Sequence, residues 1–254
     1  MKFFDLTGKV AIITGGNGGL GLGIAKGLAK EGCAVALVGR NQDKIDNAVA
    51  EMAALGAKAI GVQADVSVED DVNRMVKETV EQLGRVDILF NNAAISWGIA
   101  PEKMTLAEWD NFIAVDLTSC FLCSKACYPE MVKAGGGKIV NIGSAITKKG
   151  MGKLVHYAAA KGGMDHMTQS LARAWGKDNI QINAVLPGLV HTEMMPCEGP
   201  KKAGPVDYIV KKTPVGRYAM PDDFEGISVL LSSEASSFIT GSIIVVDGGM
   251  MLGI

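Results

Sequence analysis

Tyr157 and Lys161 stand four residues apart in the stretch VHYAAAK, residues 155 to 161. On a helix that spacing makes two side chains neighbours on one face, so a phenol and an ammonium would meet. Any amphipathic helix offers the same spacing, and neighbourhood alone does not make a reaction centre. Ser144 lies thirteen residues before Tyr157, directly after KIVNIG, and adds a hydroxyl if the two segments come together.

Other residues suggest other chemistries. The chain has three histidines, His156, His166 and His191, with no H-E-x-x-H and no pair at ligand spacing beside a carboxylate, so no metal site is expected. His156 either faces a pocket or plays a structural part at a helix start. Cys120, Cys123 and Cys127 read C-x-x-C-x-x-x-C, yet they fall inside a helical pattern as one apolar stripe, which fits packing or a subunit interface better than a redox motif. Ala94 to Gly98 (AISWG) loosely matches the nucleophile elbow of α/β hydrolases, but Ser96 follows the preceding strand end by five residues and no helix pattern begins at Trp97.

These residues need elements to position them. Short β-branched runs recur along the chain, KVAIIT, CAVALVG, AIGVQAD, VDILFNN, KIVNIGS, IQINAVLPG and SIIVVDGG. They alternate with helical patterns over 20–30, 42–55, 69–83 and 110–131, which predicts βαβ units: an α/β fold with a doubly wound parallel sheet of about seven strands, helices on both faces, and a single domain over 1–254. Residues 194–212 (MMPCEGPKKAGPVDYIVKK) break the pattern with three prolines and two glycines that should interrupt any helix, giving a surface loop or a lid.

Between the first strand and the first helix runs T-G-G-N-G-G-L-G, Thr14 to Gly21, where Gly16, Gly18 and Gly21 satisfy G-x-G-x-x-G. Glycines let the backbone approach a pyrophosphate, and the helix start offers its amides to the anion, so a dinucleotide is expected here. The second strand ends in Gly39 and Arg40 with no carboxylate before Asp43, which favours NADP over NAD, because an acid would hold a ribose hydroxyl and an arginine accepts the 2′-phosphate. Asp65 and Val66 end the third strand, where the carboxylate either meets the adenine or caps the next helix. Asn91 and Asn92 end the fourth, at the ligand-binding edge of an open sheet, and either line a site or tie strands together.

Charge excludes some functions. Lys+Arg number 25 against 27 Asp+Glu, a formal charge of -2, which argues against a nucleic-acid surface or a polybasic membrane patch. The opening MKFFDLTGK places Asp5 where a signal peptide would be apolar, and no long apolar run follows, so a cytoplasmic protein with no membrane association is expected. An odd number of cysteines, five, fits free thiols in a reducing compartment.

Taken in order, the turn at Thr14 to Gly21, Asp65, the NNAA of 91 to 94, Ser144, the Y-x-x-x-K pair, PGLVHT at 187 to 192 and the terminal VDGG resemble the classical short-chain dehydrogenase/reductase family over nearly the whole chain. The resemblance implies a Rossmann-type fold and hydride transfer between NADP(H) and a secondary alcohol or ketone. It implies that Tyr157 is the acid or base, that Ser144 bonds the same substrate oxygen, and that Lys161 holds the nicotinamide ribose and lowers the tyrosine's pKa. Cofactor contacts are implied at Gly15, Asn17, Gly19, Leu20, Gly21, Arg40, Asn41, Asp65, Val66, Asn91, Asn92 and Ala93, and further along at Tyr157, Lys161, Pro187, Gly188, Val190 and Thr192.

A free phenol of pKa about 10 is a poor base at neutral pH, and lowering it by about three units requires roughly 4 kcal/mol. An ammonium about 6 Å away at an effective dielectric near 20 supplies only about 3 kcal/mol. Lys161 alone falls short, and the positive nicotinamide ring is the natural source of the rest. The family commonly has V-N-L where residues 115 to 117 read V-D-L; an ionised Asp116 near Lys161 would partly cancel its pull on Tyr157, which makes Asp116 a candidate member of the catalytic group.

Substrate contacts are expected from loops after strands four, five and six: Ser96, Trp97, Ile146, Thr147, Met151, Leu154, Leu189, His191 and Met194, besides Ser144 and Tyr157. Members of the gluconate 5-dehydrogenase and 3-oxoacyl carrier-protein reductase types are similar in overall look. The resemblance also implies a homodimer or homotetramer formed through the Cys120 to Cys127 stripe and the helix from Tyr157, with the tail GMMLGI at a second interface. Two alternatives remain beside the dehydrogenase: an NADP-binding protein without turnover, motivated by Asp116, and an α/β hydrolase built on Ser96.

Overall fold

The computed structural model describes residues 3–200 and 202–253, so Met1, Lys2, Lys201 and the final Ile254 of the GMMLGI tail lie outside the described residues. Seven strands form one sheet: β1 (Val10–Thr14), β2 (Ala34–Gly39), β3 (Ala59–Gln63), β4 (Ile88–Asn91), β5 (Gly137–Ile142), β6 (Ile180–Pro187) and β7 (Ile243–Val246). Their order is β3-β2-β1-β4-β5-β6-β7, and every pairing is parallel. Each strand coincides with one of the β-branched runs, because a parallel sheet covered on both faces requires residues that are apolar on either side.

Alternation distributes the strand residues between two cores. Ala11, Ile13, Val35, Leu37 and Val140 face one way with α1 (Gly19–Lys30) and α8 (Glu225–Ser232). Val10, Ile12, Ala36, Val38 and Ile139 face the other, toward α3 (Glu69–Leu83), α5 (Ser119–Lys133) and α6 (Val155–Trp175). The remaining helices are α2 (Gln42–Ala54), α4 (Leu106–Ile113), α7 (Val206–Lys212) and α9 (Met250–Gly253). No described helix is long and apolar enough to cross a membrane.

The structure corrects three expectations. The helix placed at 110–131 begins earlier, at Leu106, because Thr105 and Glu108 form a reciprocal cap: the Thr105 hydroxyl accepts from the Glu108 amide at 3.2 Å and the carboxylate accepts from the Thr105 amide at 2.8 Å. It is also broken in the middle, where Ala114–Thr118 forms a π-helical turn. A helix does form inside 194–212: α7 starts immediately after Pro205, the last proline of that segment, since a proline that cannot continue a helix is well suited to precede one.

The third correction concerns the cysteines. Cys120, Cys123 and Cys127 are all buried, and the last two pack beneath the sheet with Met131 and Ile139. Their stripe faces inward and takes the packing role, the first of the two expected for it, while its side chains do not reach the surface for the second; on α5 it is Phe121 and Val132 that are exposed. All five cysteines are unpaired and buried, and burial pushes the Cys127 thiol up to about 12.

Candidate active site

A cavity of about 1000 Å³ opens over the carboxyl ends of the strands, where the strand order reverses between β1 and β4. At one end lies the turn from β1 into α1. Gly15 there has φ +64°, and a Cβ on Gly21 would run into the Gly15 carbonyl. The first turn of α1 has no side-chain cap and no acidic residue, so its amides face the cavity as an uncompensated positive end. Gly15, Asn17, Gly19 and Leu20 line the cavity, while Gly21 lies behind them and shapes the turn.

Arg40 and Asn41 line the same end, beyond β2, with the Asn41 side chain also capping α2 by accepting from the Lys44 amide at 2.9 Å. The Arg40 guanidinium is largely exposed and stands 4.0 Å from the Asp65 carboxylate. Asp65 accepts from the amide and hydroxyl of Ser67 at 3.0 and 2.6 Å, so it holds a turn ahead of α3 while lining the cavity beside Val66. This uncapped, cation-bearing end suits the anionic phosphates of a dinucleotide.

Asn92 and Ala93 line the cavity too, and their backbone amides bond the Thr14 hydroxyl at 2.9 and 3.0 Å, which ties the end of β4 to β1. Asn91 does not reach the cavity. Its amide points inward to Asn141 at 2.8 Å and Ser124 at 3.1 Å, a buried network that locks β4 to β5 and α5. Pro187 at the end of β6 and Gly188, Val190 and Thr192 beyond it all line the cavity.

Ser144, Tyr157 and Lys161 meet on one wall. β5 ends just before Ser144, and α6 carries the other two one turn apart. The Lys161 nitrogen donates to the Ile142 carbonyl at the end of β5, 2.9 Å away, and sits 5.7 Å from the centre of the Tyr157 ring. Lys161 is only 1% exposed, so its charge acts on the ring with little screening. Burial pushes the Tyr157 phenol above its ordinary range; Lys161 pulls it down, Asp116 pushes it up and the Ser144 hydroxyl pulls it down.

Asp116 lies in the π-helical turn and is 0% exposed. One carboxylate oxygen accepts from the Ile95 amide at 2.8 Å; the other is buried without a hydrogen-bond partner among the described residues. Burial raises this carboxyl from 3.8 to about 6, against the opposing pulls of Lys161 and the Ile95 amide.

Of the expected substrate contacts, Ser96, Ile146, Met151, Leu154, Leu189 and Met194 line the cavity. Trp97, Thr147 and His191 do not. Trp97 packs against Phe112, with ring centres 4.4 Å apart, and its carbonyl meets the His156 ring at 3.1 Å. Thr147 donates to Asp165 at 3.0 Å, and His191 accepts from the Cys197 amide at 3.0 Å. His156 is fully buried against Phe112, which settles its structural part. His166 is exposed, and no cluster of metal-ligating side chains occurs among the described residues.

The nucleophile elbow fails on geometry. Ser96 lies in an irregular loop, and helical structure resumes only at Pro101. Several wall residues had no local signal: Lys44, Val115, Lys149, Tyr208, and Met250 and Met251 of α9, which come back to the cavity from the far end of the chain.

The family model described as Enoyl-(Acyl carrier protein) reductase matches residues 15–251. A 2-dehydro-3-deoxy-D-gluconate 5-dehydrogenase of Formosa agariphila is 38% identical, with 99% of this chain and 96% of that protein covered. A gluconate 5-dehydrogenase of Gluconobacter oxydans is 36% identical, with 99% and 98% covered. Among solved structures, a gluconate 5-dehydrogenase from Burkholderia cenocepacia in complex with NADP and tartrate superposes with a TM-score of 0.92 at 31% identity, with 99% and 98% covered. On these likenesses the chain belongs to the short-chain dehydrogenase/reductase family of oxidoreductases.

Proposed function

We propose that the protein is an NADP(H)-preferring alcohol dehydrogenase or carbonyl reductase. The observation that carries this reading is the convergence of Ser144, Tyr157 and Lys161 on one wall of a cavity whose other end is an uncapped helix start beside Arg40. The amides of the Gly15 to Leu20 turn would hold the pyrophosphate, Arg40 the 2′-phosphate, Lys161 the nicotinamide ribose, and Val190 and Thr192 the carboxamide. When bound, NADP(H) supplies or accepts the hydride at its nicotinamide ring and places a positive ring near the phenol in the oxidised form.

Tyr157 moves the proton. In oxidation it takes the proton of the substrate hydroxyl; in reduction it gives one to the carbonyl oxygen, with Ser144 donating to the same oxygen. Burial pushes the phenol above its ordinary range, so it serves as the acid directly. Acting as the base requires the cations of Lys161 and the oxidised cofactor together.

Tyr157→Phe tests this. Turnover, followed by nicotinamide absorbance, should fall by at least about 100-fold in kcat with cofactor affinity unchanged, the scale of a general acid or base; near-normal turnover overturns the assignment. A second reading, cofactor binding without turnover, draws on the buried Asp116 that opposes Lys161. NADPH binding with no activity on a broad panel of alcohols and ketones would favour it.

Residues 194–212 act as a lid over the site in this reading, since Met194, Met195, Pro205, Tyr208 and Ile209 all line the cavity. Exposed Phe121 and Val132 on α5 support a homodimer or homotetramer formed through that helix and α6; a monomer on sizing would reject it. Five free cysteines fit a reducing, cytoplasmic setting.

A further inference from the structure

Thioethers make up much of the apolar lining of the cavity. Met151, Met194, Met195, Met250 and Met251 line it from three separated segments, together with Leu154 and other aliphatic side chains. Charged residues that line the cavity are Arg40, Lys44, Asp65, Lys149, Lys161 and Glu193. Arg40 and Asp65 stand together at the ends of β2 and β3, and Lys44 is paired with Glu193 at 2.5 Å, which keeps that carboxylate with α2. Lys161 is tied to the Ile142 carbonyl. Lys149 is left, and it is exposed.

From this lining we infer that the substrate is a bulky apolar secondary alcohol or ketone, with an aryl or alicyclic body, and not a polyhydroxylated sugar acid. The inference rests on the reductase reading above and names its substrate class. A sugar acid entering the site would surrender water at a carboxylate and several hydroxyls, and beside the methionine and leucine only a few groups such as Ser96, Tyr208 and the exposed Lys149 offer them partners. An apolar body loses nothing there, and flexible, polarisable methionines adapt to its outline, which favours a range of shapes over one. The reacting carbon and oxygen need only Ser144 and Tyr157. The reaction remains balanced as a reduction of C=O to CH–OH: the carbon gains a hydride from NADPH, the oxygen gains the Tyr157 proton, and NADPH is oxidised to NADP.

Full-length protein saturated with NADPH is assayed on an aryl ketone, a decalone and a 3-ketosteroid against 5-ketogluconate. We expect kcat/KM for at least one apolar ketone to exceed that for 5-ketogluconate by about 100-fold or more, the scale on which unpaired polar groups discriminate. Met151→Ser and Met251→Ser should each lower kcat/KM for that ketone by about tenfold with the KM for NADPH unchanged, the loss that follows removal of an apolar contact. Calorimetry on the NADP-saturated protein should detect the corresponding apolar alcohol, with a negative heat-capacity change, and not gluconate. Turnover of 5-ketogluconate equal to or above the apolar ketones overturns the inference and leaves the reductase reading standing. Failure to reduce any carbonyl while NADPH binds overturns that reading, and the inference with it.

Discussion

Asp116→Asn removes one ionisation from a fully buried position while keeping an oxygen to accept the Ile95 amide. Burial has raised the carboxyl from 3.8 to about 6. A carboxyl whose folded pKa lies above its unfolded value adds stability that is fully present below the unfolded value and is lost as pH rises through the folded one. A raise of about two units corresponds to a loss of about 3 kcal/mol at about pH 8, and about half of that at about pH 5. An asparagine has no such dependence, and its own packing cost is the same at both values. Between about pH 5 and about pH 8 the variant should therefore gain about 1.5 kcal/mol in stability relative to the parent. Urea unfolding at matched protein concentration reads the difference, with parent and variant compared at each pH. A gain below about 0.5 kcal/mol, or one of opposite sign, would refute burial as the dominant influence on this carboxyl. The same substitution removes an upward push on the Tyr157 phenol, so the pH profile of alcohol oxidation should move to lower pH.

Three more outcomes follow from the geometry. Lys161→Met removes a charge 5.7 Å from the Tyr157 ring; at an effective dielectric near 20 that interaction is about 3 kcal/mol, so the acidic limb of kcat for oxidation, where the phenol must lose its proton, should move up by about two pH units, and an unmoved limb would detach the lysine from the phenol. Arg40→Ser should lower kcat/KM for NADPH by at least about tenfold and leave NADH little changed; an intact preference for NADPH would place the 2′-phosphate elsewhere. Gly21→Ala sets a methyl against the Gly15 carbonyl, so we expect a loss of about 1–3 kcal/mol in stability together with weaker cofactor binding; a variant that binds NADPH normally would show that the turn can move aside.

Much of the fold was legible because its signals are local. Most of the seven strands are β-branched runs with a glycine, asparagine or proline close by, and the glycine turn sits between the first strand and first helix, where its amides must point past the sheet edge. What was misread also has local causes. The start of α4 is written in Thr105 and Glu108, a capping pair that apolar periodicity alone passes over. The prolines of 194–212 obscured α7, since only the last of them decides where a helix can begin. Asn91 at the end of β4 and Thr147 in the turn after β5 carry the right residue types, yet the first turns inward to Asn141 and the second to Asp165. A side chain's direction at a strand end depends on partners brought in from elsewhere.

By itself the sequence determined the order of elements and the side chains that are candidates for the reaction, because hydrophobic period and side-chain chemistry belong to the chain whatever it packs against. Tertiary structure alone decided what those groups experience. Lys161 is held against the Ile142 carbonyl, Asp116 is closed off from water, and Met250 and Met251 return to the wall of a cavity that begins at Gly15. Desolvation and Coulomb interaction depend on which atoms stand within a few ångströms, and in a parallel sheet those atoms come from strands and loops distant in sequence.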